Sequence, residues 1–272
     1  MTTSPVSLFK QPKPLDSQAH RSLRLQARQP YHFAAQQSLV PVMAGEAAQI
    51  AREYALVFSD VAGTLPLALL GARQGHNAYV RPSGHWAARY VPAHVRRYPF
   101  VLAEQAPPAG AAPGTASRLV MVDADAPHLV YEGGLALFES DGSPSKVLQQ
   151  VQQVLVMLER DSERTLQLVR QIEAAGLLVE RVLQVTPRTG RPVGLQGLRV
   201  VDETRLAALE PVALQALQQS GALRLVYAHL LSMVNLVDGP LVEGVAVAAD
   251  AAAAGTSSSG SISFEGIDWS KF

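Results

Sequence analysis

The residues of this chain best equipped for chemistry lie in three short runs. The first, "DADAPH", brings Asp123, Asp125 and His128 within six residues. Two carboxylates and an imidazole are a ligand set that a divalent ion accepts. On an extended strand Asp123 and Asp125 share one face, which favours that reading. Asp beside Pro is also ordinary turn chemistry, and the turn is preferred. The second run is "SGHWAARYVPAHVRRYPF", residues 83–100, with four aromatics, three arginines and no carboxylate. Residues 61–103 contain no Asp or Glu. Arg73, Arg81, Arg89, Arg96 and Arg97 must therefore take partners from elsewhere in the fold or from outside it. Guanidiniums suit carboxylates and phosphates, and they stack on aromatic rings. Arg89, Arg96 and Arg97, with Trp86 and Tyr90, form a candidate site for an anionic, partly aromatic peptide. The competing reading pairs the arginines with acids elsewhere in the chain and gives the aromatics to the core. The third run is "ISFEGIDWSKF", residues 262–272, where apolar anchors alternate with Glu265 and Asp268. Phe264, Asp268, Trp269 and Phe272 are its candidate docking residues.

Other chemistry is thinly represented. The patterns G-x-S-x-G, H-E-x-x-H, G-x-x-x-x-G-K-[ST] and G-x-G-x-x-G do not occur. His76, His85 and His94 are nine residues apart, a spacing that matches no short metal motif. His229 sits in an apolar run and reads as a hydrogen-bonded core histidine. The reading therefore favours a non-enzymatic role, and no cofactor is expected. The alternative is a metal-dependent enzyme using Asp123, Asp125 and His128.

Composition bounds the rest. Of 272 residues, 48% are apolar and 17% charged, enough to bury a core. The net charge of zero argues against binding nucleic acid through overall charge. The absence of cysteine excludes disulfides and thiolate metal sites. The N-terminus lacks a secretory apolar region, and no apolar run of about 18 residues is apparent, so no transmembrane segment is expected. The location expected on these grounds is cytoplasmic, with envelope association left open. Charge is uneven. Lys10, Lys13, Arg21, Arg24 and Arg28 face only Asp16 in residues 1–38, while residues 239–272 carry a net −3.

The positioning elements follow from periodicity. Residues 46–54 read as a short helix; "ALVFSD", "LPLALLG", "YPFVLAEQ" and "RLVMVDADAPHLVY" read as strands. Ser83-Gly84 reads as the turn of a hairpin that sets Trp86, Ala88 and Tyr90 on one face. Ser143-Pro144 reads as a helix start, and apolar residues at 147, 148, 151, 154, 155 and 158 keep helical spacing. Asp161-Ser162 offers a second cap, so two helices or one kinked helix fit up to Gly176. Strand-like "LLVERVLQV" and "VGLQGLRVV" follow. Asp202 and Pro211 then open two short helices, and "ALRLVYAHLLSMVNLV" fits a strand or a helix, with its length, His229 and Ser232 favouring the helix. The expected class is α+β: a strand-rich N-terminal half packed with C-terminal helices, with disordered termini. The expected boundaries are a basic flexible arm (1–37), a globular domain (38–240), an Ala/Gly/Ser-rich linker (241–260) and an acidic-aromatic motif (261–272).

The run "LPLALLGARQGHNAYVRPSGHWAARYVPAHVRRYPF" resembles the SapC family. Asn77, Gly84, Trp86, Tyr90, Pro92, Ala93, Arg96, Arg97, Tyr98, Pro99 and Phe100 carry the resemblance, which extends over roughly residues 38–237. Arg81-Pro82 departs from it, standing where an acidic pair is common. The resemblance implies an accessory protein associated with S-layer proteins or peptide transport, acting through a protein or peptide partner. It further implies a tryptophan-halogenase-like flavoenzyme or a TonB-dependent receptor system as neighbours. It supplies no catalytic residue. Beside such a flavoenzyme, the Trp269-containing tail reads as a segment docked to, or modified by, a partner.

Overall fold

The run Ala55–Ser59 is apolar without alternation, a pattern that suits a strand covered on both faces. The computed structural model of the chain describes residues 8–26, 29–105, 117–186, 188, 191–243 and 262–263. In it, β4 (Ala55–Ser59) is buried at every residue and is the middle strand of a five-stranded sheet. It pairs antiparallel with β5 (Leu67–Leu69) on one side and β13 (Leu198–Val201) on the other. Outside β5 lies β3 (Leu39–Pro41), and outside β13 lies β10 (Leu178–Glu180).

Helices α1 (Ala47–Ala51) and α6 (Ala222–Ser232) pack on each other and on β4. Polar side chains of α6 tie it to the sheet. His229 Nε2 accepts the Val201 N–H at 3.1 Å, so its Nδ1 donates to the Leu56 carbonyl at 2.6 Å. Ser232 Oγ accepts the Leu56 N–H at 2.9 Å. The helical run Ala222–Glu243, of mean hydropathy 1.4, is long and apolar enough to cross a membrane by length and composition, which the sequence reading did not anticipate. Half of it is buried inside the domain, as expected of a core helix.

A second layer begins with β6 (Phe100–Gln105) and β7 (Ser117–Asp123), paired antiparallel. The N-terminal segment expected to form a flexible arm is built into this layer over its described residues. β1 (Pro12–Pro14) pairs with β7, and β2 (Arg24–Leu25) lies between β8 (Leu129–Val130) and β9 (Leu135–Ala136). The reason is apolar and polar anchoring together. Leu8 and Leu23 are buried, and both Asp123 carboxylate oxygens accept backbone N–H groups, from Lys10 and Gln11.

α3 (Lys146–Ala174) is one continuous helix of 29 residues, about 44 Å long at 1.5 Å per residue. Its cap is Ser145, whose Oγ accepts the Leu148 N–H, rather than Ser143. Asp161 does not restart it. The Thr165 hydroxyl donates to the Asp161 carbonyl and accepts the Ala44 N–H, and a Cβ on Gly45 would meet Asp161 Oδ2 at 2.5 Å. The helix thus crosses the 3-10 turn Ala44–Glu46 before α1 at close range and continues through the second cap signal. Its first half buries Leu148 and Leu155 in a small core with Phe100, Val120 and Leu137. Its second half buries Leu168, Val169 and Ile172 in the large core around the sheet.

α4 (Glu203–Ala207) is capped by Asp202, and α5 (Pro211–Ser220) starts on its proline and ends at Gly221, where φ is +91°. β11 (Leu183–Val185) and β12 (Val193–Gln196) form a hairpin, and β14 (Ile262–Ser263) pairs parallel with β12. The class is α+β, with strands of several sheets interspersed with helices and the last helices in the C-terminal part.

Candidate functional site

The arginine-aromatic run is a turn and a helix rather than a hairpin. The turn at Gly84 is present, with φ +78°, but the only bridge is between Val80 and Trp86. The cause is the segment packed against it: the Tyr31 N–H donates to the Gly84 carbonyl, and a Cβ on Gly84 would lie 2.3 Å from Pro30 Cβ. Trp86 is 3% exposed and donates from Nε1 to the Tyr54 hydroxyl at 2.7 Å. It belongs to the core, and its assignment to a binding surface is corrected. Tyr90 is structural too: its hydroxyl donates to Glu46 Oε2 at 2.7 Å. The same carboxylate oxygen accepts the Ala93 N–H, the first of α2 (Ala93–Arg96). Burial raises the Glu46 carboxyl, and these hydrogen bonds pull it back.

The three arginines separate. Arg89 is exposed and lines a second pocket with Glu53, whose carboxylate accepts the Arg89 and Tyr90 N–H groups. Arg96 lies over the Tyr90 ring, 5.1 Å from its centroid, and donates to the Val91 carbonyl and the Tyr90 hydroxyl. Arg97 differs. Its guanidinium lies 5.5 Å from the centroid of the Phe9 ring, and its Nε is sealed from solvent without a hydrogen-bond partner. Burial alone lowers its pKa to about 10, with no compensating charge contributing.

Arg97 lines a cleft of about 510 Å³ at the boundary between the two cores. One wall is aromatic: Tyr31, Phe33, Tyr98 and Phe100. Phe33 and Tyr98 stack at 4.2 Å with their planes 10° apart, and the His128 ring meets both edge-on at 5.2 and 5.3 Å. The other wall is the first half of α3, with Val147, Val151, Val154 and Leu155. Leu25 and Leu135 close it from the β2 and β9 strands, and Gln29 and Gln150 add neutral polar groups. None of its lining residues is acidic. His128 Nδ1 is the second sealed atom without a partner, and burial lowers the imidazole, keeping it neutral.

The sequence-predicted metal set does not assemble. β7 ends at Asp123, so Asp125 lies in the following turn and is exposed, while Asp123 and His128 are buried. Asp123 accepts hydrogen bonds from Lys10, Gln11, Asp125 and the Tyr98 hydroxyl. Burial works against its charge, but these bonds outweigh it and hold the carboxyl below its ordinary value. Among the described residues no group of three His, Asp or Glu could hold a metal. His128 joins the cleft instead. Phe264, Asp268, Trp269 and Phe272 lie outside the described residues.

The SapC family model matches residues 15–238. The chain belongs to the SapC family. The match takes in the whole cleft and begins within the N-terminal segment that β1 and β2 tie to the domain. Comparison with curated proteins and with solved structures finds no match.

Sequence reasoning found Arg96 and Arg97 but missed Phe9, Tyr31, Phe33 and the role of His128. One signal was on hand for the α3 wall. Apolar positions 147, 148, 151, 154, 155 and 158 make a stripe wider than one core contact needs. Leu148 serves the core, Leu155 both core and cleft, and Val147, Val151 and Val154 line the cleft.

Proposed function

We propose that this SapC-family protein is a non-enzymatic accessory protein of peptide or S-layer protein transport that receives a segment of a protein or peptide partner in the cleft. The observation that carries the reading is Arg97, half-buried with its Nε sealed and unpaired, in an acid-free aromatic cleft. A guanidinium with a sealed, unpaired Nε costs folding free energy, and a ligand that supplies the counter-charge accounts for it. The walls then set the rest of the ligand: large apolar side chains against the rings and against α3. The flavoenzyme and receptor neighbours implied by the family resemblance are partners to try in the same assay.

The test is peptide display on the full-length protein and on Arg97→Met. The wild type should enrich peptides that place Asp or Glu beside aromatic residues, and Arg97→Met should lose that enrichment. Identical selections from both proteins contradict the reading.

A further inference from the structure

The outer face of α6 is an apolar surface that the fold leaves open. Tyr227, Leu231, Val234 and Val237 are 51, 72, 58 and 63% exposed. Their steps of four, three and three keep them on one side, because the helix tightens into a 3-10 turn at Met233–Leu236, where residues three apart eclipse. The half-buried Leu223, Leu230 and Met233 widen the stripe. Between Arg224 and Asp238 there is no Lys, Arg, Asp or Glu. An apolar patch of this kind marks a site of association. The inner face is committed to the domain, since His229 and Ser232 bond to the sheet and Asn235 to the Ala51 carbonyl of α1.

The charges at the two ends of the stripe point to what covers it. Arg224 and Asp238 are both exposed, and Leu231 stands seven residues from each. Arg224 forms no ion pair among the described residues. Asp238 meets Arg188 at 3.7 Å, a contact between two well-exposed side chains and therefore a weak one. A two-fold axis over Leu231 runs two copies of α6 antiparallel and carries each Arg224 to the other copy's Asp238. Parallel helices would set like charges together. A bilayer surface would favour basic flanks on both sides, and here one flank is acidic.

We infer that the protein forms a two-fold dimer through the outer face of α6, with the helices antiparallel about Leu231. Tyr227 of each copy then packs beside Leu231 and Val234 of the other. The face is small beside a standard interface, so the dimer is reversible, with a Kd on the order of 10 µM.

Sedimentation velocity of the full chain, at concentrations spanning that value, tests the inference. The wild type should pass from monomer to dimer. Leu231→Glu brings two carboxylates together at the axis and should stay monomeric, with its thermal midpoint unchanged because the side chain lies outside the core. Arg224→Glu and Asp238→Arg should each weaken the dimer about tenfold. An equimolar mixture of these two should regain it, because opposite charges again meet at both ends. None of the three positions lines the cleft. A wild type that stays monomeric overturns the inference, and flotation of that monomer with phosphatidylcholine–phosphatidylglycerol vesicles would give the face to a bilayer instead. A dimer that survives Leu231→Glu overturns it as well, and so does a mixture no more associated than its parts.

Discussion

At the residue scale the half-buried Arg97 and the buried His229 play opposite parts. Arg97 is held at a cost, because burial lowers its pKa to about 10 and nothing offsets this. A depressed arginine binds its proton less readily in the folded chain than in the unfolded one, so it opposes folding at neutral pH. The cost is on the order of 3 kcal/mol at most, taking 1.36 kcal/mol per unit. Arg97→Met should therefore stabilise the free protein, raising the midpoint of thermal unfolding by about 2–4 °C for each 1 kcal/mol recovered. A lowered midpoint would show that Arg97 serves the fold. His229 is structural, with both ring nitrogens engaged by backbone, and burial pulls it down to about 4 against the Leu56 carbonyl. Its folded value lies below the unfolded one, so its contribution is present above about pH 6.5 and is lost as pH falls towards 4. The full loss is about 3 kcal/mol. His94 and His128, also lowered by burial, act in the same sense, while Glu46, raised by burial, acts in the other. Urea unfolding at a series of pH values should show this decline, and His229→Gln should flatten it.

At the element scale the cleft depends on α3 being one continuous helix. Its first half is held by Ser145, whose Oγ caps the helix and also donates to the Ala136 carbonyl at 2.7 Å. Ser145→Ala should cost about 1 kcal/mol of stability. It should also weaken ligand binding, because Val147 and Val151 lie in the turns beside the cap. Chemical unfolding and a binding titration on the same variant check both. Much of this element was legible in the sequence: the helical period, the end at Gly176 and the wide apolar stripe. Its continuity was not. Asp161 looks like a cap when only neighbours in sequence are considered, and the groups that keep it helical, Ala44 and Gly45, are more than 100 residues away. The Ser83-Gly84 hairpin failed for a related reason. Its turn residues act locally, but the strand partners were displaced by Pro30 and Tyr31, which no local pattern connects to them.

On the scale of the whole molecule, two cores share one long helix, and the ligand cleft opens where they meet. The acid-free stretch, residues 61–103, pointed to the neighbourhood, and Arg97 proved to be its unsatisfied member. The aromatic wall could not be read in advance, because Phe9, Tyr31 and Phe33 come from a segment whose composition looks like a loose basic arm. That segment is ordered by long-range contacts, among them the Asp123 carboxylate and the Phe9–Tyr98 ring pair at 5.5 Å. The central claim is that a carboxylate of the occupant meets Arg97. A calorimetric double-mutant cycle tests it most directly, using a displayed peptide and its Glu→Gln or Asp→Asn form against wild type and Arg97→Met. Each single change should weaken binding about tenfold or more, and the two together should weaken it no further, a coupling of about 1.4 kcal/mol or more. Losses that simply add would contradict the claim.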